Sequence, residues 1–231
     1  VARSKPRKDG FIKGLARIFL RLALLFVGGS LAIVLLYKFI NPPTTLTMLL
    51  DDNGAAQSWA KADEIAPDMM AAIIAAEDSK FCSHDGFDRE AIEQALEERK
   101  SGKRQRGAST ISQQTAKNVF LWQGGGFFRK GLEAWFTVLI ENIWGKKRIM
   151  EVYLNVAETG IGTYGVEAGA QRYFNISANN LSRIQAARMA AALPSPKTRA
   201  VSSPGGFTRR YGNIIARRIA TIRGEGLNSC L

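Results

Sequence analysis

Apolar residues fall into two patterns along this chain. From Leu22 to Tyr37 sixteen residues run without a charge (LALLFVGGSLAIVLLY), whereas beyond residue 43 apolar positions recur at intervals of three and four. The second pattern belongs to helices that turn one face to a core. In Arg129–Ile143 the residues Leu132, Trp135, Phe136, Leu139 and Ile140 make such a face. Pro67 opens a helix predicted to run to Ala76, and Asp88 stands as N-cap before Arg89–Lys100. Further helices are predicted over Ser109–Val119, Arg148–Val156, Val166–Tyr173, Ser182–Leu193 and Phe207–Ile222, with breaks at Gly124–Gly126 and Ser202–Gly206. Thr44–Leu50 (TTLTMLL) has the β-branched content of a short strand. No alternation of strand and helix follows it, which argues against a parallel sheet and predicts a mainly α fold.

The uncharged run reads as a membrane span. Sixteen residues fall short of the roughly 20 that a span needs, but Ile18–Ile40 supplies 23 when Arg21 and Lys38 snorkel toward the headgroups. Asn41-Pro42-Pro43 ends it. A cleaved leader has the same layout, with Ser30-Leu31-Ala32 as its cleavage site; the long core and Lys38 directly behind it favour an uncleaved anchor. The expected organisation is a basic tail over 1–17, an anchor over 18–40, a linker over 41–65 and a globular domain over 66–231.

Composition adds exclusions. The 231 residues are 46 % apolar and 23 % charged, which rules out a disordered acidic chain, a collagen-like repeat and a many-pass membrane protein. A net charge of +12 first points to an anionic partner: nucleic acid, phospholipid or a phosphorylated substrate. Its distribution changes that picture. Residues 1–40 hold eight basic residues and one acid, a local +7, and the other 191 hold 24 basic against 19 acidic, leaving +5. Most of the excess is a topology signal that keeps the N-terminus cytoplasmic and everything after residue 43 outside. A domain on that side does not meet DNA, so nucleic acid drops out as a partner.

Candidate chemistry is concentrated in five blocks. Glu77-Asp78 ends an Ala/Ile-rich helix, where burial lifts a carboxylate toward the range of a general base; a solvated capping cluster running on to His84 and Asp88 is the plainer reading. Gly107–Asn118 crowds Ser109, Gln113, Lys117 and Asn118 at a helix start, suited to sugar hydroxyls and phosphate oxygens or simply to a polar cap. Arg129 and Lys130 stand within one turn of Glu133, as phosphate-binding cations or as its intrahelical partners. The fourth block is Lys146–Asn155 running into Gly160–Phe174, and the fifth is Ala190–Pro196. Cys82 and Cys230 do not look like a disulfide framework and read as unpaired thiols. With a single histidine, His84, and no Cys-x-x-Cys, the sequence holds no metal-ligand cluster.

In this order and spacing, over residues 66–196, the five blocks resemble the monofunctional biosynthetic peptidoglycan transglycosylases, the single-domain members of glycosyltransferase family 51. GASTISQQTAKN and RKGLEA are the specific signals. The resemblance implies a lysozyme-like, two-lobed, mainly helical domain behind one transmembrane helix, lying on the outer face of the bacterial cytoplasmic (inner) membrane. It implies growth of β-1,4-linked glycan from lipid II, with inversion and release of undecaprenyl pyrophosphate. Glu77 then falls on the general base and Glu133 on the second catalytic glutamate, which assists the donor near its pyrophosphate. Ser109, Gln113, Lys117 and Asn118 match donor-binding positions, with Arg129 and Lys130 as the basic pair beside them. The implied partners are lipid II, the growing strand, the membrane and other cell-wall synthesis or division proteins. No cofactor is required; a divalent cation bridging pyrophosphate oxygens fits the chemistry, but the sequence has no dedicated site for one.

The chain departs from the family pattern at two points. Many relatives carry an arginine shortly before the RK block, where this chain reads Gln123-Gly124-Gly125-Gly126-Phe127; Arg104, Arg106 and Lys147 are the available substitutes. Gln185 stands where the last block usually has glutamate. Arg99–Arg106 reads as a solvated connector or as a contact for anionic headgroups, and Phe120, Trp122, Phe127 and Phe128 either dip into the bilayer or pack the core. A transpeptidase domain is not expected. The only Ser-x-x-Lys is Ser58-Trp59-Ala60-Lys61, no Lys-Thr-Gly follows, and the 35 residues beyond Pro196 are too few. A glycan-cleaving enzyme on the same fold is the nearest rival; the RK block and the anchor favour a lipid-pyrophosphate donor instead.

Overall fold

The structure, a computed structural model, describes residues 8–102 and 107–231. Arg104 and Arg106, offered above as substitute cations, lie outside the described residues, as does the start of the basic tail. The chain divides into two compact units, Val1–Ile40 and Asn41–Leu231. The first contains helix α1, Lys8–Phe39, whose stretch Ile12–Phe39 includes an 18-residue segment with a mean hydropathy of 2.4 and is long and apolar enough to cross a membrane. The helix begins well before the apolar run because Lys13 and Arg17, unsuited to hydrocarbon, are good helix formers.

The second unit is mainly helical. Its helices are α2 (Leu46–Leu49), α3 (Pro67–Glu77), α4 (Arg89–Lys100), α5 (Ile111–Phe120), α6 (Gly126–Ile143), α7 (Lys146–Val156), α8 (Val166–Phe174), α9 (Arg183–Ala192) and α10 (Gly206–Gly224). Caps set several of the boundaries. Asp88 accepts from the Ala91 N–H, while Thr110 with Gln113 and Ser182 with Gln185 form capping boxes. Gln185 is therefore a helix-starting residue, a position that glutamine and glutamate fill alike.

Two expectations need correcting. Thr44–Leu50 is not a strand: the Thr45 hydroxyl accepts from the Met48 N–H at 3.3 Å and starts α2, so the β-branched residue works as a cap. Residues 41–65 do not form a free linker either. They supply α2, the short strand β1 (Ala56–Gln57) and a 3-10 turn at Ala62–Glu64, and they belong to the globular unit. Strand β1 pairs in parallel with β3 (Thr163–Tyr164), which pairs antiparallel with β2 (Glu158–Gly160) across an irregular register.

Two helix triplets position the site. Helices α3, α9 and α10 pack on one another, and α5, α6 and α7 do the same. The first triplet is built from small side chains, with Ala71, Ala72, Ala187 and Ala190 wholly buried. Gly212 of α10 faces the Ala187 carbonyl and Arg188 of α9, which keeps those backbones close. The second triplet buries larger groups, including Ile111, Ile140, Ile149 and Met150, and Phe120 stacks on Phe136 at 4.5 Å. Phe120 is thus a packing residue, whereas Phe127 and Phe128 are 91 % and 74 % exposed.

The cysteines are the third correction. Cys82 and Cys230, read as free thiols, form a disulfide across 148 residues. The turns after α10 return the chain to the loop behind α3, a closure that spacing along the sequence does not reveal.

Candidate active site

Glu77 is the last residue of α3, a helix with Ala and Ile on nearly every side, so its carboxylate is set against apolar surface. Burial raises its pKa above the ordinary glutamate value, opposed by a hydrogen bond from Gln114 and by the charges of Arg199 and Lys117. Gln114 Nε2 donates to Glu77 Oε2 at 2.8 Å. The amide cannot turn freely, because the Tyr153 hydroxyl donates to Gln114 Oε1 at 3.3 Å. Tyr153 is buried, and that burial lifts its pKa well above 10, so it stays a phenol and a donor. The other carboxylate oxygen, Glu77 Oε1, is buried without a hydrogen-bond partner. A buried acceptor left open costs about 1–3 kcal/mol, which makes it a place to look for a proton donor.

The loop after Glu77 is tied to the start of α5. Buried Asp78 accepts from the Ile111 N–H at 3.0 Å and from His84 Nε2 at 3.0 Å. His84 Nδ1 accepts from the Gly86 N–H, which puts the ring proton on Nε2. Thr110 donates its hydroxyl to the Gly86 carbonyl at 2.7 Å. Gly86 itself has φ +98°, and a Cβ there would lie 2.7 Å from Thr137 Cγ2. The lone histidine is a brace that holds the Glu77 loop against α5 and α6.

Glu133 has a different setting. It is 2 % exposed on α6, and both of its oxygens are taken: Arg129 Nη1 donates to one at 2.6 Å and Lys130 Nζ to the other. Lys130 also reaches Ser109 Oγ at 3.2 Å. Lys130 and Ser109 border a cleft of about 520 Å³ between α4 and the start of α5, with Ile92, Ala95 and Gln113 also in its walls. Lys117, half-buried on α5, links the two carboxylates. Its pKa is lowered by burial first, then by Arg129 and Lys130, while Glu133 and Glu77 both act to raise it. Asn118 follows it on the same helix, half-buried.

The structure thus gathers Ser109, Lys117, Arg129, Lys130 and Glu133 into one cationic cluster beside Glu77. Gln113 lines the cleft, and its Oε1 accepts from the Thr110 N–H at 3.1 Å in the capping box. Its neighbour Gln114, which the sequence did not single out, is the residue that reaches Glu77. The glycine run also gains an explanation. Gly125 is the residue before α6 with φ +87°, and a Cβ on it would lie 2.8 Å from Arg129 Cβ and 2.9 Å from Trp122 Nε1. An arginine does not fit that conformation. Instead the turn brings the Gly124 carbonyl to Arg129 Nε, which aims the Arg129 side chain back along the helix. Lys147, the remaining candidate substitute, is exposed in the first turn of α7.

Known proteins resemble this chain over most of its length. Residues 44–219 match the family described as Transglycosylase. The chain is 50 % identical over 225 residues to a biosynthetic peptidoglycan transglycosylase of Caulobacter vibrioides, covering 96 % of this chain and 98 % of the relative. Proteins of the same description from Bdellovibrio bacteriovorus and Shewanella oneidensis are 46 % identical over 215 residues and 44 % identical over 218. Those matches cover 89 % and 90 % of this chain, and 86 % and 94 % of the relatives.

Proposed function

The chain belongs to the transglycosylase family and is a peptidoglycan glycosyltransferase, and from that premise we propose that it polymerises lipid II, releasing undecaprenyl pyrophosphate with inversion. The observation that carries the reading is the state of Glu77, with one oxygen held by Gln114 and the other buried and open. Glu77 Oε1 takes the proton of the acceptor's 4-hydroxyl as that oxygen attacks the donor's anomeric carbon. The bond to pyrophosphate breaks and its electron pair leaves with the phosphate oxygen. One displacement by one base yields the β-1,4 linkage without a covalent enzyme intermediate.

Pyrophosphate is a weakly basic leaving group and needs cations more than an acid. Lys117, Arg129 and Lys130 supply them. Glu133 holds the Arg129 and Lys130 heads in place, so its part in the reaction is to position them. A divalent ion would add charge neutralisation at the same phosphate oxygens; among the described residues no three His, Cys, Asp or Glu side chains converge to hold one. No transpeptidase chemistry is assigned to these residues, because Ser58-Trp59-Ala60-Lys61 lacks a Lys-Thr-Gly partner.

We place α1 in the inner membrane as an anchor with its N-terminus cytoplasmic and the globular unit periplasmic. The basic flank supports this orientation, and so does the Cys82–Cys230 bridge, which forms in an oxidising compartment. The test gives the purified full-length protein labelled lipid II. Polymer that lysozyme digests, made by the wild type and absent with Glu77→Gln, is the expected result. Cleavage of finished glycan without polymer would overturn the reading.

A further inference from the structure

Among the described residues of the globular unit, three phenylalanines are largely exposed: Phe127 and Phe128 on the glycine run, and Phe207 at the start of α10. Phe207 is 54 % exposed and yet firmly built in. Its ring lies against Tyr211, one turn on, with centroids 5.4 Å apart and a 30° tilt. The Arg199 guanidinium sits 4.7 Å over the same ring, and Arg199 Nη1 donates to the Ala191 carbonyl at 2.8 Å. Tyr211 donates its hydroxyl to the Ala76 carbonyl at 2.9 Å, the peptide group directly before Glu77.

Tyr211 is therefore fastened to the end of the helix that carries the base, and the guanidinium over Phe207 is fastened to α9. They come from α10 and the segment before it, whereas the phosphate-side cations come from α5 and α6. Both sets reach Glu77: Arg199 and Lys117 each act on its charge, and Glu77 acts on Tyr211. The Phe207 ring is half open, so part of it is free to meet a ligand. The chemistry of the pair also narrows the ligand. A half-open ring with a hydrogen-bonding cation over it suits a pyranose, whose C–H groups can meet the exposed part of the ring while its oxygens reach the guanidinium. It suits a hydrocarbon tail poorly, because the guanidinium would lose its water.

We propose that Phe207, Tyr211 and Arg199 form a saccharide platform for the acceptor, with its sugar stacked on Phe207 and its oxygens or peptide carboxylate on Arg199. The proposal rests on Glu77 as the base, since it is the base that defines where the acceptor hydroxyl must stand. It assigns to this face the discrimination between an acceptor sugar and a bare lipid phosphate.

Two measurements on the full-length protein test it. In the first, a lipid II analogue with a blocked 4-hydroxyl serves as saturating donor and labelled lipid II is varied as acceptor. Phe207→Ala should raise the acceptor KM about tenfold, Phe207→Trp should restore it, and the donor KM should move less than about twofold. Equal shifts in both constants, or none, would overturn the platform. In the second, the soluble disaccharide-peptide without lipid or phosphate is titrated in the millimolar range and followed by NMR. Binding by the wild type that Phe207→Ala loses and Phe207→Trp keeps supports the platform even if no polymer forms, a result that would count against the assigned reaction alone. Absence of wild-type binding, or binding unaffected by Phe207→Ala, removes the platform and leaves the polymerase reading standing.

Discussion

Glu77 and Glu133 are both carboxylates drawn out of water, and their surroundings give them opposite chemistry. Glu77 sits in apolar surface with one neutral donor, Gln114, and an open oxygen; its proton affinity rises, which is what a base requires. Glu133 is clamped by Arg129 and Lys130, one on each oxygen. What separates the proposed base from the proposed brace is the number and charge of hydrogen bonds each receives, since both are glutamates ending on or within a helix.

The contrast is easiest to break at Glu77. Glu77→Gln should cut turnover about 10³-fold, within the usual range for a general base, measured as polymer from labelled lipid II. It should also stabilise the fold. The folded pKa lies above the unfolded one, so this group's stabilising contribution is present at low pH and is lost as pH rises through the folded value. The amide has no such loss, and Tm at neutral pH should rise by roughly 2–4 °C per kcal/mol recovered. An unchanged or lower Tm would mean that the wild-type carboxylate is not destabilised by burial.

Glu133→Gln should do the reverse on stability. Freeing two cations should lower it by about 1–3 kcal/mol, the smaller end being favoured because Lys130 is 44 % exposed and water takes over part of the pair. Activity should fall about 10- to 100-fold through weaker stabilisation of the departing phosphate. Full activity with Gln at 133 would mean that the cations hold their places unaided. Gln114→Leu comes next, with a loss of about tenfold. Because Gln114 lowers the Glu77 pKa, its removal should move the acid limb of the pH–rate profile upward, from a position already above the ordinary glutamate range. An unmoved limb would sink the role given to Gln114. The smallest effect is expected from Gly125→Arg. The positive φ and the close Arg129 Cβ predict a stability loss of about 1–2 kcal/mol and no gain in activity. A lower donor KM in that variant would show that the missing cation matters more than the turn.

Much of the helical frame was legible because it is written locally. Asp88 and Ser182 mark their helix starts, and the apolar repeat of α6 shows its buried face. The short strands were not. Elements of two or three residues such as β2 and β3 are too brief to show alternation, and Thr45 has the same side chain whether it extends a strand or caps α2. The candidate site was legible in its charges and illegible in its hydrogen bonds. Lys117, Arg129 and Lys130 stand out by charge, and the family pattern picked out Gln113. Gln114 differs from Gln113 by one position, which on a helix is a different face, and its contact with Glu77 spans 37 residues. Tyr153 gave no signal, since a buried tyrosine in an apolar helix looks like packing. The grouping proposed around Phe207 was not legible either, since nothing in the sequence shows that Tyr211 reaches the Ala76 carbonyl 135 residues away.

The disulfide has a consequence in time. Residues emerge in order during synthesis and export, and Cys82 precedes its partner by 148 positions. In the proposed topology the loop after Glu77 therefore stays unsealed until almost the whole globular unit has crossed to the oxidising side. The last helix is also the one whose Tyr211 and Arg218 hold the Ala76 and Ala75 carbonyls of α3. In an exported domain of the kind proposed above, α10 and the bridge arrive last, and with them the hydrogen bonds that hold the end of the helix carrying Glu77.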